Sequence, residues 1–234
     1  MALPKLNTTQ YELELPSTGK SIKFRPWLVK EQKLLMMAQE SEDTEEIERA
    51  FANIVTECTF GEVEPYNSPM FDIEYIFLKL RGKSIGDSIQ VSVLCPDDEK
   101  TRVTVNLNVE DIAIQMKDDH TNIIEVNKDV KVVMKYPTLK DMSGFDGDGK
   151  VLQIFSMISR CIKEIHHEKT IYNSVDVSPK EINDFLDTFS QPEFEKLSEF
   201  FESMPKLQHV FKVKNPKTKK ENSITLEGLQ SFFE

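Results

Sequence analysis

The run from Phe71 to Gly86, FDIEYIFLKLRGKSIG, limits the possible folds more than any other part of the chain. Ile73, Ile76, Phe77 and Leu80 fall on one stripe at helical spacing, and Phe71, Tyr75 and Leu78 fall on a second. A helix that is apolar on two sides has to be covered on both, which puts this one at the centre of the fold. Gly82 and Gly86 are expected to end it. Everything else must supply the layers that cover it.

The stretch before it supplies some. Tyr11, Leu13 and Leu15 alternate with Glu12 and Glu14, Pro16-Ser17-Thr18-Gly19 turns the chain, and Ile22 and Phe24 resume the alternation. Pro26 stops this second strand, and an apolar-rich helix starts near Leu28. Asp43 or Thr44 caps a further helix whose Ile47, Ala50, Phe51, Ile54, Val55 and Cys58 form one stripe. Its acidic leading turn complements the helix dipole and needs no ligand to explain it.

From Ser88 the period changes to two. Ile89, Val91, Val93 and Cys95, then Val103, Val105, Leu107 and Val109, predict a long hairpin turning at Pro96–Lys100. Asn122–Val126 and Val130–Tyr136 are expected to join its sheet. After Pro137 a helix is expected on Val151, Ile154, Phe155, Ile158 and Ile162. Ser178-Pro179-Lys180-Glu181 and Ser190-Gln191-Pro192-Glu193 each start a helix with capping-box chemistry, which predicts a helical hairpin. Leu207–Val213 and Ser223–Leu226 predict a last hairpin, closed by one helical turn. The fold class is therefore α+β: an N-terminal β-hairpin, a helical body, an inserted antiparallel hairpin sheet and a C-terminal helical hairpin with a short terminal β-hairpin. The expected divisions are 1–83, a β-rich insertion at 84–137, and 138–234, or one continuous domain.

A net charge of −11 argues against general nucleic-acid binding, since phosphate needs compensating Lys and Arg. No stretch approaches the roughly 20 apolar residues of a membrane span, and the first residues lack the basic and apolar regions of a signal peptide. Three cysteines (Cys58, Cys95, Cys161), widely spaced, suit free thiols in a reducing cytoplasm.

Reactive constellations are sought and not found. Cys95-Pro96 has half the form of a zinc knuckle, without a second cysteine close by, and the tip at Asn215–Lys220 has the same shape without any. Asp146-Gly147-Asp148-Gly149 fails as a calcium loop because Phe155 falls where the bidentate Glu belongs. His166 and His167 are read as adjacent residues at a helix C-terminus, unable to chelate one ion together. His120 and His209 are read as isolated. No nucleophile motif or P-loop is present. Catalytic residues, metal ligands and cofactors are therefore expected to be none. One charge feature stands out: Lys206, Lys212, Lys214, Lys217, Lys219 and Lys220 cluster with His209, with no acid between Lys206 and Lys220. This is either a solvated turn with edge lysines that discourage aggregation, or a docking patch for an acidic partner. The terminal Phe232-Phe233 is either tucked into the core, where Leu226, Leu229 and Phe233 fit one helical face, or an exposed anchor.

The phrases PKLN (Pro4–Asn7), LPSTGKSIKFRPWLVKEQKLL (Leu15–Leu35), FDIEYIFLKLRGKSIG (Phe71–Gly86), VMKYPTL (Val133–Leu139), FFESMPKL (Phe200–Leu207) and LEGLQSFF (Leu226–Phe233) resemble the baseplate hub protein family of T-even-type contractile-tailed bacteriophages. The likeness runs in order over nearly the whole chain. It implies a non-enzymatic morphogenesis protein, either a hub subunit or an assembly chaperone, with phage baseplate hub and central-spike proteins as partners and self-association as a further option. The host cytoplasm during assembly, and the virion tail baseplate, are the implied locations. In that family the two hairpin tips can carry paired cysteines like a zinc knuckle, whereas this sequence keeps only Cys95. The alternatives from other classes are a tail-associated hydrolase or other small enzyme, and an inert virion subunit.

Overall fold

The two-sided helix lies where its pattern demands. In the structure, a computed structural model that describes residues 7–41, 43–142 and 150–232, its neighbours are laid down in chain order. Strands β1 (Tyr11–Glu14) and β2 (Ser21–Phe24) form the first antiparallel hairpin, followed by helices α1 (Val29–Ser41) and α2 (Thr44–Cys58). Asp43 caps α2, its carboxylate accepting from the N–H groups of Glu45 and Glu46 at 2.8 and 3.4 Å. The central helix is α3 (Met70–Ile85). One side of α3, with Ile73, Ile76, Phe77 and Leu80, packs into a core with Ile22, Phe24, Trp27, Ile54, Val55 and Cys58. Leu78, on its other side, enters a second core with Ile89, Val91, Leu107, Leu207 and Phe232. Each large side chain so buried is worth roughly 1.5–3 kcal/mol relative to exposure.

Gly82 does not end α3. It lies inside the helix, where a Cβ would stand 2.9 Å from the Asp87 carboxylate and 3.1 Å from Val109 Cγ1, so close approach rather than termination explains it. Gly86, at φ 132°, makes the stop.

Strands β3 (Ser88–Leu94) and β4 (Arg102–Asn108) pair with each other alone. After a short 3-10 turn at Val109–Asp111, β5 (Ala113–Gln115) pairs with β10 (Lys206–Lys214), and β10 pairs with β11 (Glu221–Glu227). A 3-10 turn at Leu229–Phe232 closes the described chain.

The expected union of Asn122–Val126 and Val130–Tyr136 with the β3–β4 sheet does not occur. Strands β6 (Ile123–Glu125) and β7 (Val130–Met134) join β8 (Ile162–His167) and β9 (Thr170–Asn173) in a separate sheet of order β6-β7-β8-β9. The helix expected to run through Ile162 also ends sooner. α4 (Leu139–Met142) is short, α5 (Lys150–Cys161) stops at Cys161, and Ile162, His166 and His167 lie on a strand. The four-residue spacing Ile154, Ile158, Ile162 carries the helical signal past the true boundary. A register shift at Val133/Met134 lets both Ile162 and Ile165 reach the interior, which erases the alternation that would have announced β8.

Helices α6 (Pro179–Leu186) and α7 (Gln191–Ser203) begin where the capping residues place them. Glu181 accepts from the Ser178 N–H at 2.9 Å, and Glu193 from the Ser190 N–H at 2.8 Å. Ile182, Leu186, Leu197 and Phe200 pack with Val132, Met134, Ile158 and Ile165 in a third core.

The chain divides into two compact units: Met1–Gln115 with Lys206–Glu234, and Met116–Pro205. The β3–β4 hairpin belongs to the first, and the strands at 123–134 to the second. The first unit is two stretches of chain stitched by β5 and β10, and the second is inserted between them. Among the described residues no helix is long and apolar enough to cross a membrane.

Candidate functional site

Two hairpin tips of the first unit are built alike. At the β3–β4 tip, Cys95 N–H donates to Thr101 O at 2.8 Å and Glu99 N–H to Cys95 O at 3.0 Å. At the β10–β11 tip, Asn215 N–H donates to Lys220 O at 2.9 Å and Lys219 N–H to Asn215 O at 2.9 Å. Each has Pro in second place, Pro96 and Pro216, and each turns through a left-handed residue, Glu99 at φ 51° and Lys219 at φ 64°. Cys95 and Asn215 are both fully buried.

A polar clasp joins the tips. The Asp97 carboxylate accepts from Asn215 Nδ2 at 2.8 Å and from the Thr218 hydroxyl, while its own N–H donates to Asn222 Oδ1 at 3.1 Å. Hydrogen bonds from Thr218 and Asn215 hold the Asp97 carboxyl below its ordinary range. Asp98 braces its own turn, accepting from the Thr101 N–H at 2.9 Å and the Thr101 hydroxyl at 2.6 Å, and its carboxyl is likewise lowered.

These contacts test the metal implied by the family resemblance, and the residues do not fit it. Of the four positions a pair of knuckles would use, only Cys95 offers a thiol. Asn215 and Thr218 are spent on Asp97, and Asp98 on Thr101. Among the described residues no group of three or more His, Cys, Asp and Glu could hold a metal ion.

The clasp sets the lysine cluster on a braced support and divides it. Lys214, Lys217, Lys219 and Lys220 are exposed at and beside the tip, and none of them forms an ion pair among the described residues. Lys212 pairs with Glu221 at 2.9 Å, and half-buried Lys206 with Glu227 at 2.8 Å. His209 faces inward from β10: its Nδ1 lies 3.0 Å from Asp111 O and its ring stacks on Phe211. Phe232 is fully buried in the core and takes no place on the surface, while Phe233 lies outside the described residues, as does the 146–149 turn.

One cluster escaped the sequence reading. His120 is not isolated: its Nδ1 is 2.9 Å from Ser203 Oγ, its Nε2 is 3.1 Å from the Tyr136 hydroxyl, and its ring stacks with Tyr136. Ser203 and Phe200 help to line a cleft of about 550 Å³ in the second unit. Ser203 Oγ also lies 2.9 Å from Glu199 O, a backbone acceptor for its proton, and among the described residues no carboxylate orients the ring, whose Nε2 faces the Tyr136 hydroxyl. Burial lowers the His120 pKa. The 83-residue separation of His120 and Ser203 left no motif for a sequence reading to find. The other two histidines, His166 and His167, alternate across β8, and His166 Nε2 sits 2.8 Å from Glu164.

The cysteines are equally quiet. Burial pushes the Cys58 thiol up to about 11 and the Cys161 thiol up to about 12, and raises Cys95 as well.

A family model described as T4 bacteriophage base plate protein matches residues 8–234. No curated protein and no solved structure matches the chain.

Proposed function

The chain belongs to the T4 bacteriophage base plate protein family, and from that premise we propose that it acts in building the central hub of the baseplate, as a hub subunit or as an assembly chaperone. Membership itself carries a structural or assembly role in the phage baseplate and contact with other baseplate proteins. The hub assignment rests further on a resemblance of long phrases to the hub protein family, above all Phe24–Glu31 and the α3 sequence.

One observation supports a contact mechanism: the clasped pair of tips presents Lys214, Lys217, Lys219 and Lys220, without ion pairs among the described residues, on a fixed support in a protein of net charge −11. A preorganised basic knob loses little freedom on docking and steers toward acidic surface. The His120–Ser203 pair gives the hydrolase alternative no comparable support, because among the described residues no carboxylate accepts from the His120 ring, whose Nε2 faces the Tyr136 hydroxyl.

The test is co-expression with the hub and central-spike proteins of the same phage. The expected result is a complex that co-purifies at low salt and is weakened by charge reversal at Lys217, Lys219 and Lys220. No complex with any of those proteins would overturn the hub reading while leaving family membership intact. Mass spectrometry of purified virions then separates a resident subunit from a departing chaperone.

A further inference from the structure

Helix α1 is covered unusually little. Among its apolar side chains Ala38 is buried and Leu35 packs against the core, yet Val29, Leu34, Met36 and Met37 are 85%, 36%, 52% and 57% exposed. Helices in folded proteins owe most of their stability to burying an apolar stripe, so an uncovered one marks a surface made to be covered. Alongside it runs an open groove of about 280 Å³ between α1 and α2. Buried Ala38 and Ala50 form its floor, and Leu34 and Met37 are on the α1 wall. Small residues below and the flexible Met37 thioether at the side make a surface that can repack around varied apolar knobs.

The rim selects among occupants. Glu46 lines the groove, Asp43 and Glu45 stand in the same turn of chain, and Glu40 stands at the end of α1, all exposed. Arg49 also lines it, but its charge is taken by Glu45 at 2.9 Å. Lys30, on α1, is turned to Glu31 and Glu57 at 3.1 and 3.5 Å. Glu40, Asp43 and Glu46 have no ion-pair partner among the described residues, which leaves an apolar trough with an acidic edge.

We propose that this groove receives a basic amphipathic helix of another protein. Its apolar side chains would lie against Leu34, Met37 and Ala50, and its Lys or Arg residues would meet Glu40, Asp43 and Glu46. The proposal deepens the reading that the protein works by protein–protein contact. It assigns a second surface, separate from the lysine tip and of opposite charge preference.

The test uses the full chain and three fluorescein-labelled peptides of roughly 18 residues, about five helical turns. One has a Leu face and a Lys face, one has Glu in place of Lys, and one is a scramble of the Leu/Lys composition without amphipathic order. Fluorescence anisotropy should show saturable binding of the Leu/Lys helix, weakened by salt, and at least about tenfold weaker binding of the other two. Met37→Asp, at an exposed position that leaves the fold intact by circular dichroism, should cut affinity about tenfold, and Glu40→Lys with Glu46→Lys should do so independently. Equal binding of the scrambled or Leu/Glu peptide, or an unchanged affinity in Met37→Asp, would overturn the proposal. So would sedimentation showing a dimer that Met37→Asp dissociates, since the groove would then belong to a second copy. Hub proteins are absent from the assay, so its failure is distinct from failure of the hub reading.

Discussion

Two buried carboxylates in the first unit respond to pH in opposite senses, and their partners decide which. Glu31 is buried, which favours its neutral form, but it accepts from Arg25 at 2.8 Å, from the Leu28 N–H at 2.7 Å and from Lys30 at 3.1 Å. Those bonds outweigh burial and hold its carboxyl below the ordinary value. Its contribution to stability is therefore present above about pH 4.3 and is lost as pH falls through the lowered value. Removing it strands Arg25 in the interior, so Glu31→Ala should cost about 3 kcal/mol in urea denaturation at neutral pH. Asp72 is buried too, but its partner is Ser17, through both the N–H at 3.0 Å and the hydroxyl. Burial wins there and raises the carboxyl. The native state then holds that proton more tightly than the unfolded chain, so stability falls as pH rises through the window above about pH 3.9. Asp72→Asn should remove that slope: its stability relative to wild type improves from pH 4 toward neutrality, and a parallel pair of pH profiles would refute the assignment. The thiols follow the same logic of burial. With Cys58 and Cys161 pushed to about 11 and about 12, the native protein should react negligibly with a thiol reagent at pH 8, and all three cysteines should react after unfolding in denaturant.

At the scale of elements, a structural question hangs on the clasp between the hairpin tips. A zinc knuckle would hold two such turns through a metal, and here Asp97 joins them through Asn215, Thr218 and Asn222. A chelator should therefore leave the thermal midpoint unchanged. Asn215→Ala, which removes the donor to Asp97 and the acceptor for Lys217 N–H, should cost about 1–3 kcal/mol. A midpoint that drops on adding chelator would refute the metal-free clasp. Elements whose instructions are local were legible in the sequence. Ser178 and Ser190 mark their helix starts, the two faces of α3 announce its central place, strict alternation gives β3 and β4, and extended runs on either side of a turn give β10 and β11. What failed depends on partners far along the chain. β8 was hidden because a bulge against β7 lets Ile162 and Ile165 share the interior. β5 is too short to show a period and exists because β10 pairs with it. Gly82 was misread because the crowding by Val109 and Asp87 that requires it cannot be seen in its own helix. The lysine cluster was visible as charge, but its division into paired strand lysines and a free tip follows from Glu221 and Glu227 across the hairpin.

For the whole molecule, the chain path makes a prediction of its own. The last register pair of β5 with β10 is Gln115 with Lys206, and between those two residues the chain makes the entire second unit, Met116–Pro205. Its departure and return are therefore neighbours on one ladder, the arrangement in which an inserted domain can be excised without stretching its host. Each unit has its own buried core: Leu78, Ile89, Leu207 and Phe232 with their neighbours in the first, and Val132, Ile158, Leu197 and Phe200 in the second. Joining Gln115 to Lys206 through Asn-Gly converts the open ladder into a two-residue hairpin, for which that dipeptide has the right backbone preference. The shortened first unit should unfold in one cooperative thermal transition, and Met116–Pro205 expressed by itself should do the same. A molten or protease-labile product from either piece would show that the cores depend on each other. The division also bears on the two proposed contact surfaces. The lysine tip and the α1–α2 groove both lie in the first unit, so the shortened protein should bind the Leu/Lys helix as the full chain does, and the excised second unit should not. A loss of binding on excision would place part of the groove's partner-binding surface in the insertion.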